Sequence, residues 1–80
     1  MNIFLATTRD GVDRFLRMKT TLNDIELWVN GGVDLQGIDT QSHSITVFNK
    51  HYDLSNPSQH DTIIGTIEDH YSDCTIWLEM

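Results

Sequence analysis

The sequence predicts an α+β domain: an antiparallel sheet of five or six strands, built from hairpins, with one short helix near residues 9–21. Three observations carry this expectation. Ile25, Leu27 and Val29 alternate with Glu26, Trp28 and Asn30 just before Asn30-Gly31-Gly32, a group whose residues tolerate the positive φ of a tight turn. Short apolar runs recur at 45–54 and 74–79, separated by turn residues. Acids precede bases by four residues at Asp10/Arg14 and Asp13/Arg17, as on a helix face. An all-β barrel or sandwich of consecutive hairpins is the alternative. A ferredoxin-like βαββαβ arrangement ranks third, because it needs a helix over 60–72.

Taken in order, Asn2 to Thr7 reads as the first strand. Arg9 to Thr21 follows as a helix, with Val12, Phe15, Leu16 and Lys19 as its inner stripe and Arg17 and Lys19 suited to its carboxyl end. A hairpin at Asp10-Gly11 competes with it. Asp24 to Asp39 is the best-defined hairpin. A three-residue loop at 30–32 sets Ile25, Leu27, Val29, Val33 and Leu35 on one face, with Glu26, Trp28, Asp34 and Gln36 on the other. Thr40 to Ser44 is a polar loop. Ser44 to Phe48 then reads as a strand, with a turn at Asn49-Lys50 and a return strand at His51 to Leu54. Ser55-Asn56-Pro57-Ser58 breaks the chain. Thr62 to Ile67 can be drawn as a helix with an Ile63, Ile64, Ile67 and Tyr71 stripe. Its β-branched residues and Gly65 favour a strand with a bulge. Glu68 to Asp73 follows as an acidic loop, and Cys74 to Glu79 as the last strand.

Eighty residues make one domain over 1–80. No apolar run reaches the roughly 20 residues of a membrane helix, and NIFLA is too short for a signal-peptide core. The single cysteine, Cys74, makes no intramolecular disulfide. A cytoplasmic protein is expected, in the host cytoplasm if it is phage-encoded.

Charge is the strongest compositional signal. Twelve acids against five bases give −7, unevenly spread. Arg9, Arg14, Arg17 and Lys19 against Asp10 and Asp13 leave the first 19 residues at +2, while ten acids against Lys50 alone leave residues 20–80 at −9. Such a body repels nucleic acid and membrane surfaces and attracts basic proteins. Acidity also serves solubility by itself.

Catalytic, metal and cofactor sites are not expected. His43, His51, His60 and His70 show no zinc-ligand spacing and read as loop and surface residues. Cys74, four residues after His70 and flanked by Asp69 and Asp73, could be drawn as a nucleophile. The neighbouring acids would raise its thiol pKa, so a small buried hydrophobe is the better reading. Glu68, Asp69 and Asp73 lack calcium-loop spacing, and the glycines form no phosphate loop.

One coincidence of faces points to binding. Trp28 shares a strand face with Glu26, and Trp77 shares one with Glu79. If all four lie on one sheet face, large aromatics stand within a carboxylate rim, a surface suited to a basic partner; the alternative is that Trp28 and Trp77 are covered by the helix or by the loop at 55–61 and belong to the core. The expected function is therefore a non-enzymatic acidic protein that binds and inhibits a basic, nucleic-acid-handling protein. This is the type of phage anti-restriction and anti-CRISPR inhibitors and of immunity proteins, with nucleic-acid mimicry as one route and no direct nucleic-acid binding. Its expected contact residues are Glu26, Trp28, Asp34, Glu68, Asp69, Asp73, Trp77 and Glu79. The alternative is a small ligand-binding or sensory domain acting as a homodimer.

Overall fold

A computed structural model describes residues 2–18, 25–40 and 45–79. Asn2–Ala6 forms β1, Arg9–Met18 forms α1 and Ile25–Val29 forms β2. Thr46–Val47 forms β3, Pro57–His70 forms α2 and Thr75–Glu79 forms β4. The four strands make one sheet in the order β3-β2-β1-β4, and every pairing is parallel.

The two helices cover opposite faces. Successive residues of a strand point to opposite sides, so β1 serves both layers. Ala6 packs with Val12 and Phe15 of α1 and with Leu27 and Val29 of β2. Ile3 and Leu5 pack with Trp28 and with Ile63 and Ile67 of α2. Phe15 is 1% exposed and its ring centroid lies 5.3 Å from that of Phe4. Burial of such a side chain contributes about 1.5–3 kcal/mol.

The antiparallel expectation is overturned at the central hairpin. Among the described residues no antiparallel strand returns after β2. The chain turns at Gly31 and Gly32 and runs through 33–40 without joining the sheet. β2 instead lies beside β1, with Leu27 opposite Phe4 and Trp28 opposite Leu5. Val33, Leu35 and Ile38 still pack against the α1-side core, so their apolarity reflects burial without strand pairing. Gly31 serves a close backbone approach: a Cβ there would meet the Lys50 carbonyl and lie 2.9 Å from His51 N. The strand expected at Ser44 to Phe48 shrinks to Thr46–Val47, and His51 to Leu54 is irregular chain rather than a return strand.

The second correction concerns 55–70. Thr62 to Ile67 is helical, within α2, and Glu68 to His70 close that helix instead of forming an acidic loop. The stretch read as a breaker is a helix start. Asn56 is the N-cap, its Oδ1 accepting the Ser58 and Gln59 amides at 3.0 and 3.3 Å, and Pro57 occupies the first turn, where it has no N–H to waste. Such a cap contributes about 1 kcal/mol. Ile63 and Ile67, one turn apart, are both fully buried, and their packing outweighs the poor helix propensity of the segment.

α1 stands where a helix is expected, but one ion pair differs. Asp10 pairs with Arg14 at 3.1 Å as the spacing implies, whereas Asp13 pairs backwards with Arg9 at 3.0 Å. Lys19 to Asp24 and Gln41 to Ser44 lie outside the described residues, and with them the ends of the expected helix and hairpin.

Candidate binding cleft at the carboxyl end of the sheet

In an open parallel sheet the carboxyl ends of the strands share one edge, and the loops leaving them converge there. Here β1 delivers Thr7 to that edge and β2 delivers Asn30. The Asn30 amide donates to the Ala6 carbonyl at 3.0 Å, carrying the β1–β2 ladder one step beyond the strands. Its side chain, 2% exposed, then acts as a surrogate strand. Nδ2 donates to the Tyr52 carbonyl at 2.9 Å, and Oδ1 accepts the Tyr52 amide at 3.0 Å. That double bond pins the segment after β3 across the sheet edge and satisfies a buried amide completely on one side.

The whole of the pinned segment, His51 to Ser55, lines a cleft of about 240 Å³ together with Thr7 and Asn30. His51 Nδ1 lies 2.8 Å from the Gly31 carbonyl, an acceptor, so Nδ1 carries a proton. The Asp53 amide donates to Gln59 Oε1 of α2 at 2.7 Å, tying the cleft wall to the helix. Asp53 Oδ1 accepts the Ser55 hydroxyl at 2.6 Å and the Ser55 amide at 3.0 Å. These bonds, the hydroxyl's first, hold the Asp53 carboxyl below its usual range, with a smaller contribution from the charge of His51.

Ser55 is not arranged as an activated nucleophile: its hydroxyl donates its hydrogen bond to a carboxylate already weakened as a base, and among the described residues no imidazole bonds to it. Among the described residues no group of three or more His, Cys, Asp or Glu side chains is placed to hold a metal ion. Cys74 is a free, half-buried thiol packed against the α2-side core beside Ile76.

The residues expected to form a partner surface do not converge. Trp28 is 4% exposed and belongs to the core between sheet and α2. It stands beside Leu5, and Leu5 stands beside Leu78, whereas Trp77 stands beside Phe4. The two tryptophans therefore occupy opposite faces of the sheet. Trp77 is 57% exposed, on an edge strand beyond the cover of α1. Glu26 is half-buried on the α2 face, near Tyr71. Asp34 is exposed at the other end of the strands, its carboxylate accepting the Gln36 amide at 2.9 Å and its carbonyl accepting from Arg9. Glu68 and Asp69 are exposed in the last turn of α2, and Asp73 is exposed with φ 58° just before β4. Glu79 pairs with Ala6 at the end of β4, and its side chain lies outside what is described.

Sequence reading missed every cleft residue. The one available signal was the polar alternation His51, Asp53, Ser55 immediately ahead of an Asn-Pro helix start.

Glu26 and Tyr71 supply a pH test of the packing at the amino end. A hydrogen bond from the phenol to the Glu26 carboxylate, then burial, then the Glu26 charge raise the Tyr71 pKa above its ordinary 10.0. A raised folded-state value favours folding below the unfolded pKa and ceases to do so as pH rises through the folded one. In Glu26→Gln the Tyr71 phenolate absorbance is expected to appear at lower pH than in the parent chain. Coincident titrations would remove this contact.

Structurally the chain is thus a small open parallel sheet, helix-covered on both faces, with a polar cleft at its carboxyl edge. No family model matches it, and none of the curated proteins or solved structures compared with it is similar to it.

Proposed function

We propose that this protein is a non-enzymatic binding domain that takes a small polar ligand in the cleft at the carboxyl end of its sheet. The observation that carries the reading is the convergence of Thr7, His51, Asp53 and Ser55 on one cleft, over the sheet edge that positions ligands in open parallel folds. A thermal-shift screen of small metabolites tests it. A ligand at 100 times its Kd adds about 2.7 kcal/mol of stability, which raises Tm by more than about 10 °C in a chain this small. The shift should vanish in Ser55→Tyr, where a phenol enters the cleft from its exposed wall. A stabilising ligand indifferent to that substitution binds elsewhere, and the cleft reading then fails.

A second reading keeps the acidic inhibitor of a basic, nucleic-acid-handling protein, in altered form. Two observations favour it. Among the described residues Trp77 is the most exposed of the large apolar side chains, and no Lys or Arg pairs with Glu68, Asp69 or Asp73. Trp77 would then be the anchor, with the acids of 68–73 steering the approach, and Trp28 takes no part. Affinity capture repeated at rising salt checks it, because a charge-steered partner elutes as salt screens the attraction. Trp77→Ala should abolish that capture with Tm unchanged, while retention of the partner by Trp77→Ala removes this reading. Homodimerisation is decided by the mass in solution. Among the described residues no helix is long and apolar enough to cross a membrane, and a cytoplasmic location is part of the proposal.

A further inference from the structure

The ligand class follows from which groups of the cleft are already committed. The Asn30 side chain is spent on the Tyr52 backbone, His51 Nδ1 on the Gly31 carbonyl, and the Ser55 hydroxyl proton on Asp53. Left over is Asp53 Oδ2, an anionic acceptor that bonds nothing among the described residues. Two nearby donors that could hold an anion are engaged elsewhere. The Gly11 amide in the first turn of α1 bonds Thr8 Oγ1 at 3.0 Å, and Asp10 adds a negative charge to that turn. The Arg9 guanidinium points to the carbonyls of Asp34 and Gln36 and to the Asp13 carboxylate. The Lys50 ammonium stands 5.4 Å from the centroid of the ring of Tyr52, a cleft-lining residue, while Lys50 itself does not line the cleft. A phosphate in this cleft would therefore meet a carboxylate and lack a committed donor, within a chain of net charge −7.

We infer that the cleft takes a small organic cation, an ammonium or guanidinium head bound by the Asp53 carboxylate, and excludes phosphorylated ligands. The inference rests on the ligand-binding reading above and adds the sign of the ligand's charge. Shape agrees with it, since about 240 Å³ admits a head group and a short chain but not a dinucleotide. Leu54 supplies an apolar wall against which a methylene chain can lie.

Amide NMR titrations of the full chain with agmatine, with inorganic phosphate and with adenosine monophosphate test the inference. Agmatine is expected to shift the amides of Thr7, His51, Asp53 and Ser55 saturably, and the two phosphates are expected to leave them in place. Asp53→Asn keeps Oδ1 as acceptor for Ser55 and removes only the charge, so it should weaken agmatine binding about tenfold with the fold unchanged. Saturable shifts at these amides from either phosphate, with none from agmatine, would overturn the cation assignment and leave a ligand-binding cleft standing. Agmatine binding undiminished in Asp53→Asn would overturn the role given to Asp53. If no probe moves the cleft amides, the cation inference fails, and a cleft-dependent hit in the thermal-shift screen decides whether the broader reading survives it.

Discussion

Trp28→Ala is expected to remove about 3–5 kcal/mol of stability, the range for truncating a buried large aromatic. At roughly 0.05–0.15 kcal/mol per residue, a chain of 80 residues has about 4–12 kcal/mol in total. The substitution would thus leave it marginal or unfolded. The size of the effect comes from what the indole joins. Its ring centroid lies 5.5 Å from Phe48 after β3, 5.3 Å from His70 at the end of α2, and 6.4 Å from Tyr71 beyond it. One side chain therefore ties the sheet to both ends of the β3–α2 unit, and a methyl group in its place leaves a void that three separate segments would have to close. Trp28→Phe should lose under about 2 kcal/mol, since it keeps most of the volume. It also removes a buried indole N–H that has no hydrogen-bond partner among the described residues. Urea melts of the three chains provide the measurement. An unchanged midpoint in Trp28→Ala would mean that the indole lies on the surface, and would return it to the list of partner contacts.

The same residue shows how far the sequence could be read. Alternation in Ile25 to Asn30 was visible and correct in its grouping: Ile25, Leu27, Val29, Val33 and Leu35 do pack in one cluster. Their arrangement was not visible. A period of two tells which residues share a face, but it is silent on whether the neighbouring strand arrives from a hairpin or from a crossover. Local turn chemistry at 30–32 favoured the hairpin. Parallel pairing with β1 is a contact over more than twenty residues, and nothing local announces it. In a sheet covered on both sides, the second face must also be apolar or aromatic. Trp28 was that second face; core and partner surface were both open for it in the sequence, because Glu26 stands two residues away on the same side. Trp77 looked equivalent and is not, because β4 lies at the edge beyond the reach of α1.

The helix at 57–70 was misread for a different reason. β propensity in Thr62 to Ile67 is a weak bias, about 1 kcal/mol across its whole scale. Against it stood an Asn cap, a proline at the first helical position and two isoleucines four apart. The start signal lay in plain sequence, but Asn56-Pro57 serves equally as a chain breaker. The cleft was illegible as long as the sheet was drawn antiparallel. Only parallel strands bring Thr7, Asn30 and the 51–55 segment to one edge, where polar residues otherwise scattered over nearly fifty positions become neighbours.

Gly31→Ala is the substitution that should damage fold and cleft together. An added Cβ would meet the Lys50 carbonyl and would lie 2.9 Å from His51 N, and both obstacles are backbone rather than a flexible side-chain tip. Relief requires the 50–52 strap to move off β2, at an expected cost of about 3 kcal/mol. Moving it stretches the His51 to Gly31 bond and the paired Asn30 to Tyr52 bonds, which together set the cleft wall. Two other glycines separate this effect from generic loss of glycine. At Gly37, φ is +82° with nothing within 4 Å of the added methyl, so alanine there should cost only about 1–2 kcal/mol of backbone strain. At Gly65, inside α2 and equally open, alanine should stabilise by about 0.5–1 kcal/mol through helix propensity. Denaturation midpoints should therefore rank Gly65→Ala above the parent chain, with Gly37→Ala below it and Gly31→Ala lowest. The amides of 51–55 should shift in Gly31→Ala alone. If Gly31→Ala instead matches Gly37→Ala in stability and leaves those amides in place, the strap does not bear on β2, and the cleft is not held together by the contacts assigned to it.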